Sequence, residues 1–320
     1  MKQPAQFIGA AKKIRRELLK SLSRVLRVGP VRTRIEGKVV KIPLVYGLGA
    51  DHLSRTTRPW TYDIVERLVD SRPGHFIDIG ANVGLYLIWL KSMDETRPYL
   101  GFEPNPACCF YLQELIRCND FAESSVFPIA LAATRRQRTF FARRIGDKMG
   151  SLLADHRIEK EKPHSFAVLT QPGDPVFEDL NLTAICAMKI DVEGSELQVL
   201  RGLAGTLKRY RPTLICEVLN PKPEQPSFTD RVESMDALLR LARELDYRVL
   251  SRGDDGRMHI ADTSEDLRAH SSSDRILVPV TDLDHVLALG KDAKQALPQP
   301  VDDGSRAGRS SRPPRAESQA

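Results

Sequence analysis

The chain has 320 residues, 41% of them hydrophobic, enough for an ordinary core without staples; its five cysteines lack C-x-x-C spacing, which argues against both a disulfide framework and a zinc site. The net charge of +6 is uneven: residues 1–29 hold eight Lys or Arg against one Glu, residues 291–320 hold six basic against four acidic residues, and the stretch between is net negative. Nucleic acid is not expected as a substrate, because the basic excess lies at the ends rather than in a stripe on the folded body; no apolar run is long enough to span a bilayer, no signal-peptide h-region is evident, and a cytoplasmic protein is expected.

From Phe7 to Leu26, apolar residues recur at Phe7, Ile8, Ala11, Ile14, Leu18, Leu22 and Val25 with basic residues between them, which predicts a basic amphipathic helix ended by Gly29-Pro30. Two readings stand: peripheral contact of residues 7–27 with an anionic membrane surface or a partner, and, favoured, a helix packed on the body with a solvated basic face. Residues 31–58 read as short strands and loop, with Val39 to Leu44 the clearest strand. A helix from Thr61 to Asp70, a strand from His75 to Ile79, a helix from Gly84, a strand from Tyr99 to Glu103, a helix from Pro106 to Cys118 and a strand from Ser125 to Ala130 then alternate, which predicts a parallel sheet.

Residues 134–182 break the alternation with a hairpin-like stretch from Thr139 to Arg143 and a turn at Gly150-Ser151-Leu152; such an insertion is a natural place to shape a substrate site. The pattern resumes with a strand from Ala184 to Ile190, a helix from Gly194 to about Leu203, a strand from Pro212 to Val218, a helix from Val232 to Leu245, and strands Tyr247 to Ser251 and Arg275 to Val280. After Leu289 the composition predicts disorder. The domain plan is therefore an N-terminal helix (1–29), a cap (30–72), an α/β domain (73–290) and a tail (291–320).

Two motifs carry chemistry. Phe76 to Ile79 suits a buried strand, Gly80-Ala81-Asn82-Val83-Gly84 a turn free of side-chain bulk, and Glu103 follows Gly80 by 23 residues, close to the spacing at which an acid on the second strand of a βαβ unit meets ribose hydroxyls. The glycine spacing lacks the full G-x-G-x-x-G of a pyrophosphate site, and Asp78 beside it would repel phosphate but hold an amino group. S-adenosylmethionine, which has no phosphate, fits that pattern. The second motif is Lys189-Ile190-Asp191-Val192-Glu193-Gly194-Ser195-Glu196. Alternation puts Lys189, Asp191 and Glu193 on one side of an extended chain. Glu196 reads as a helix-start carboxylate and Lys189 as the ion-pair partner that lets the acids crowd. Glu217 is an acid on an otherwise apolar strand, costly to bury unless paired, and a candidate contact for a substrate hydroxyl.

These blocks, with Phe102-Glu103-Pro104-Asn105-Pro106, Val199-Leu200-Arg201-Gly202 and Pro212 to Val218, resemble FkbM-family methyltransferases over roughly residues 74–220. The resemblance implies a class I, Rossmann-like α/β fold: a seven-stranded, mostly parallel sheet with helices on both faces. It implies S-adenosylmethionine-dependent methylation of a hydroxyl on a sugar, polyketide or similar small-molecule or glycan acceptor. Asp78, Gly80, Ala81, Asn82, Gly84, Glu103, Asn105 and Ala130 form the expected cofactor site; Asp191, Glu193 and Glu217 are the expected catalytic acids, with His156 or His164 able to enter from the insertion. With no histidine beside the acids, no metal site is assigned. The rival readings are a non-catalytic membrane- or partner-docked adaptor with a vestigial cofactor site, and a nicotinamide-dependent oxidoreductase, whose pyrophosphate turn and catalytic pair are missing.

Overall fold

The computed structural model describes residues 14, 16–19, 21–22, 28–53, 58–142, 150–153, 164–225 and 227–292. Residues 14, 16–19, 21 and 22 are helical, but Ile14, Leu18 and Leu22 of the expected apolar face are 62%, 59% and 47% exposed, and Leu19 is the side chain that packs on the core. Phe7, Ile8, Ala11 and Val25 lie outside the described residues. Gly29-Pro30, expected to stop this helix, instead lie in strand β1 (Val28–Ile35), which pairs antiparallel with β2 (Lys38–Leu44) in a two-stranded sheet. A strand with one paired edge tolerates a proline, whose missing N–H can face away from the partner. Val40, Ile42 and Leu44 alternate inward from β2 and join the main core.

The βα alternation follows. Helix α1 (Trp60–Ser71) leads to β3 (His75–Ile79), α2 (Leu85–Met93), β4 (Tyr99–Phe102), α3 (Pro106–Asn119) and β5 (Ser124–Phe127). The strand expected through Ala130 is cut, because Pro128 has no N–H to continue the ladder; the separate β6 (Ala130–Leu131) joins β7 (Arg136–Ala142) and β8 (His164–Gln171) in a small sheet of order β6-β8-β7. Four helices were not anticipated, two of them near the end of the chain; the first two are α4 (Gly173–Leu180) and, after β9 (Ile185–Ile190) and α5 (Glu196–Gly202), the short α6 (Ala204–Tyr210). Asp174 of α4 accepts the Gly205 and Thr206 N–H groups at 2.8 and 2.7 Å, which caps α6 from outside its own chain segment. The chain closes through β10 (Thr213–Glu217), α7 (Phe228–Glu244), β11 (Tyr247–Arg252), β12 (Met258–Ile260), α8 (Ser264–Arg268), β13 (Asp274–Pro279) and α9 (Leu283–Asp292). Helix α9 runs past Leu289, where disorder was expected; the rest of that tail lies outside the described residues.

The main sheet has the order β12-β11-β13-β10-β9-β3-β4-β5, parallel from β10 to β5. Its eighth strand, one more than expected, is β12, a short edge strand returning on β11 through a turn closed by Gly253 N–H to the Arg257 carbonyl at 2.7 Å. Helices cover both faces. Ile77, Ile79, Met188 and Ile190 face a core built with α4 to α8, whereas Phe76, Cys186, Ile215 and Ile276 face one built with α1, α2, α3 and α9. Chain order reverses between β3 and β9, and in such sheets the ligand cleft lies beyond the carboxyl ends of the strands at that point. Among the described residues no helix is long and apolar enough to cross a membrane.

Candidate active site

Strand β3 gives way to Gly80, whose φ of +76° favours glycine, and a Cβ there would stand 1.9 Å from the Asp191 carbonyl oxygen. The two strand ends are stitched together at this point: Asp191 N–H donates to the Ile79 carbonyl at 3.0 Å, and the Gly80 and Ala81 N–H groups donate to the Phe102 carbonyl at 2.9 and 3.1 Å. A cleft opens above them. Of the expected cofactor residues it is lined by Gly80, Asn82, Glu103 and Ala130, and of the expected acids by Asp191 and Glu193. Ile79, Phe102, Ile129 and Leu131 supply apolar walls, and the insertion contributes Phe140, Gly150 and Leu152.

Glu103 is 5% exposed, and its two oxygens accept the Asn82 and Asn105 backbone N–H groups, each at 2.8 Å. Burial pushes its carboxyl up to about 7 against the pull of those bonds. Each oxygen keeps a second lone pair, so the group can still accept from ligand hydroxyls.

Four expected cofactor residues lie elsewhere. Asp78 is paired in register with Lys189, is 1% exposed, and points to the sheet face opposite the cleft, because Ile77 and Ile79 on either side of it face the other way. There its Oδ2 accepts the Tyr99 hydroxyl at 2.8 Å and its Oδ1 lies 3.3 Å from Lys189 Nζ. Ala81 packs in the core, Gly84 is the left-handed cap of α2 pressed against Leu112, and Asn105 caps α3 by accepting Ala107 N–H at 3.1 Å. All four shape the turns that carry the cleft without lining it.

Lys189 likewise leaves the row it was expected to share with Asp191 and Glu193, because the extended strand ends at Ile190 and the alternation stops there. Its ammonium donates to the Gly80 carbonyl at 2.7 Å and stands 3.5 Å from Asp191 Oδ2. Burial alone would lower its pKa, but the carboxylates of Asp78 and Asp191 outweigh it and hold the ammonium charged.

Asp191, Glu193 and Glu217 do converge: one carboxylate oxygen from each lies within 4.8 Å of the others. Glu217 reaches this cluster from an adjoining pocket rather than from the cofactor cleft, and its Oε1 accepts the Ser273 hydroxyl at 2.9 Å. Burial first, and then the hydrogen-bonded Asp191 carboxylate, push the Glu217 carboxyl up to about 8. Asp274, opposite Glu217 in the β10–β13 register, is raised too, by burial and by Asp191. While Glu217 keeps the proton shared in this hydrogen-bonded pair, the carboxylate beside it is the group able to receive a hydroxyl's proton, and three such oxygens are also a donor set of the kind hard divalent cations use. Glu196 is structural, as expected: its Oε1 accepts the Gly194 and Val192 N–H groups at 2.9 and 3.3 Å and shapes the turn into α5.

The insertion is tied to this turn by Ser151, 1% exposed, whose hydroxyl donates to the Glu193 carbonyl at 2.9 Å. His164 is exposed at the start of β8 and does not line the cleft, while His156 lies outside the described residues. Ser273 and Asp274 escaped sequence reasoning, because nothing local says that β13 returns beside β10.

The family model for the methyltransferase FkbM domain matches residues 78–249, more than half of the chain. Methyltransferase sdnD of Sordaria araneosa is 29% identical over 199 residues, which cover 54% of this chain and 75% of that protein. Methyltransferase 1 of Beauveria bassiana is 26% identical over 157 residues, 44% of this chain and 62% of that protein. Among solved structures, methyltransferase FkbM from Methylobacillus flagellatus aligns with a TM-score of 0.39 and 17% identity over 64% of this chain and 43% of that one. The S-adenosylhomocysteine-bound methyltransferase PaMTH1 of Podospora anserina aligns with a TM-score of 0.39 and 11% identity over 87% of this chain and 95% of that one.

Proposed function

The chain belongs to the FkbM methyltransferase family, and from that premise we propose that it is an S-adenosylmethionine-dependent O-methyltransferase acting on a hydroxyl of a small molecule or glycan. The observation that carries this reading is the convergence of Asp191, Glu193 and Glu217 beside a cleft whose lining includes Glu103. The cleft's residues suit the cofactor: Gly80 lets the ends of β3 and β9 close together beneath it, Glu103 can accept ribose hydroxyls, and Phe102 with Ile129, Ala130 and Leu131 offers an apolar seat for adenine. Bound there, S-adenosylmethionine supplies a sulfonium methyl that is already electrophilic.

The protein's part is then positioning and proton removal. Asp191 or Glu193 orients the acceptor hydroxyl, and the Asp191–Glu217 pair takes its proton. Lys189 fixes Asp191 from below and keeps its charge from being felt unopposed at the cleft floor. A nicotinamide dinucleotide is a poor fit, since the carboxylates of Glu103, Asp191 and Glu193 line the space its pyrophosphate would need and no G-x-G-x-x-G turn receives it. The test is release of S-adenosylhomocysteine from S-adenosylmethionine in the presence of a fractionated metabolite extract, compared with Asp191→Asn. Release that the variant abolishes supports the reading, and equal release by the variant removes Asp191 from catalysis. A chain that binds cofactor and never turns over would favour the adaptor alternative.

A further inference from the structure

A second, larger cleft adjoins the acid turn. It shares Leu152 and Ser195 with the cofactor cleft, and Leu219 and Arg231 with the pocket onto which Glu217 opens, so it borders both, and the three acids line those neighbours rather than this cleft. Its lining is of two kinds. One part is apolar: Leu197, Val218, Met235 and Leu238, from α5, the end of β10 and α7, are 7%, 5%, 3% and 2% exposed. The other part is cationic. Arg136 and Arg138 stand two residues apart on β7, so they leave the strand on one face, and both are exposed. Arg231 of α7 adds a third guanidinium, its Nε bonded to Ser227 Oγ at 3.0 Å. The acidic groups in the lining are Asp230 and Glu196, and the Glu196 carboxylate is committed to the Val192 and Gly194 N–H groups. Counting only the exposed groups, the two guanidinium groups of Arg136 and Arg138 face one carboxylate, that of Asp230.

A neutral sugar would need donors and acceptors in balance along such a wall. Guanidinium groups beside an apolar floor instead suit a phosphate or carboxylate carried on an apolar body, because the planar donor fork matches both anions. The acid cluster in the two adjoining pockets repels an anion. We infer that the methyl acceptor, on the methyl-transfer reading above, is an amphipathic anion whose acidic group lies against Arg136 and Arg138 and whose hydroxyl lies at the far end, beside Asp191 and Glu217.

The test is calorimetric titration with octyl phosphate, octanoate and octyl glucoside, each below its micelle-forming concentration, on the full chain and on the Arg136→Gln/Arg138→Gln double variant, both titrated with S-adenosylhomocysteine as well. The two arginines are exposed strand residues, so the variant is expected to fold. The inference predicts that one or both octyl anions bind about tenfold or more tightly than the glucoside, and that the double variant loses this preference while its S-adenosylhomocysteine affinity is unchanged. Which anion is preferred tells a phosphate-bearing acceptor from a carboxylate-bearing one. Equal affinity for anions and glucoside, no binding of either anion, or a preference that survives in the double variant overturns the inference and leaves methyl transfer standing. Failure of the unaltered chain to bind S-adenosylhomocysteine counts instead against the methyl-transfer reading itself.

Discussion

Lys189 and Asp78 stand 3.3 Å apart under the turn that opens the cofactor cleft, with side-chain exposures of 8% and 1%. The strand register makes them neighbours, and the same ammonium holds the Gly80 carbonyl and Asp191. One buried cation thus ties the glycine turn of the first motif to the acid of the second.

Lys189→Met should therefore destabilise the fold by about 3–5 kcal/mol, because it leaves the Asp78 charge buried without its partner. The double variant Lys189→Met/Asp78→Asn should recover a substantial part of that loss. Denaturant unfolding of the two variants checks it: equal stability of single and double variants would mean that Asp78 is not the group Lys189 stabilises.

Gly80→Ala is expected to abolish cofactor binding. The positive φ costs about 1–2 kcal/mol for any residue with a Cβ, and the added carbon would meet the Asp191 carbonyl at 1.9 Å, so the two strand ends must separate. Loss of S-adenosylhomocysteine binding in a chain with native circular dichroism is the expected result, and wild-type affinity in the variant would contradict it.

Stability should fall as pH rises toward mild alkalinity. Glu103 and Glu196, held up to about 7, and Glu217, held up to about 8, have ordinary values of 4.5 when unfolded. Between those limits the native chain binds more protons than the unfolded chain, so each rise in pH favours unfolding, and below the lower limit the difference disappears. His75, lowered by burial, works the other way below 6.5. The clean comparison is therefore with Glu217→Gln, which should flatten the curve in the upper part of the window. Unfolding curves from about pH 5 to about pH 9 decide it, and an unchanged slope in the variant would contradict the shared proton.

Much of the α/β frame was legible because its signals are local. The apolar run His75 to Ile79 and the helix starting after Asn105 stand where sequence reasoning put them, and so does the β9 strand that carries the second motif. The side-chain directions at the strand ends were less legible. Asp78 was expected in the cleft because it precedes the glycine turn, but the two-residue period of β3 had already committed it to the opposite face beside Tyr99. The acid cluster was half visible: Asp191 and Glu193 share one motif, whereas Glu217 joins them only because β10 lies beside β9, and its partners Ser273 and Asp274 lie just before and at the start of β13, which runs antiparallel to it. The insertion's tie through Ser151 is likewise a contact between segments 42 residues apart in sequence, which no local pattern encodes.

If the cleft above β3 and β4 holds S-adenosylmethionine with Glu103 on its ribose, calorimetric titration with S-adenosylhomocysteine will register it. Micromolar binding is expected, weakened by about tenfold or more in Glu103→Ala with its circular dichroism unchanged. No binding by the folded wild-type chain, or equal affinity in Glu103→Ala, would contradict it.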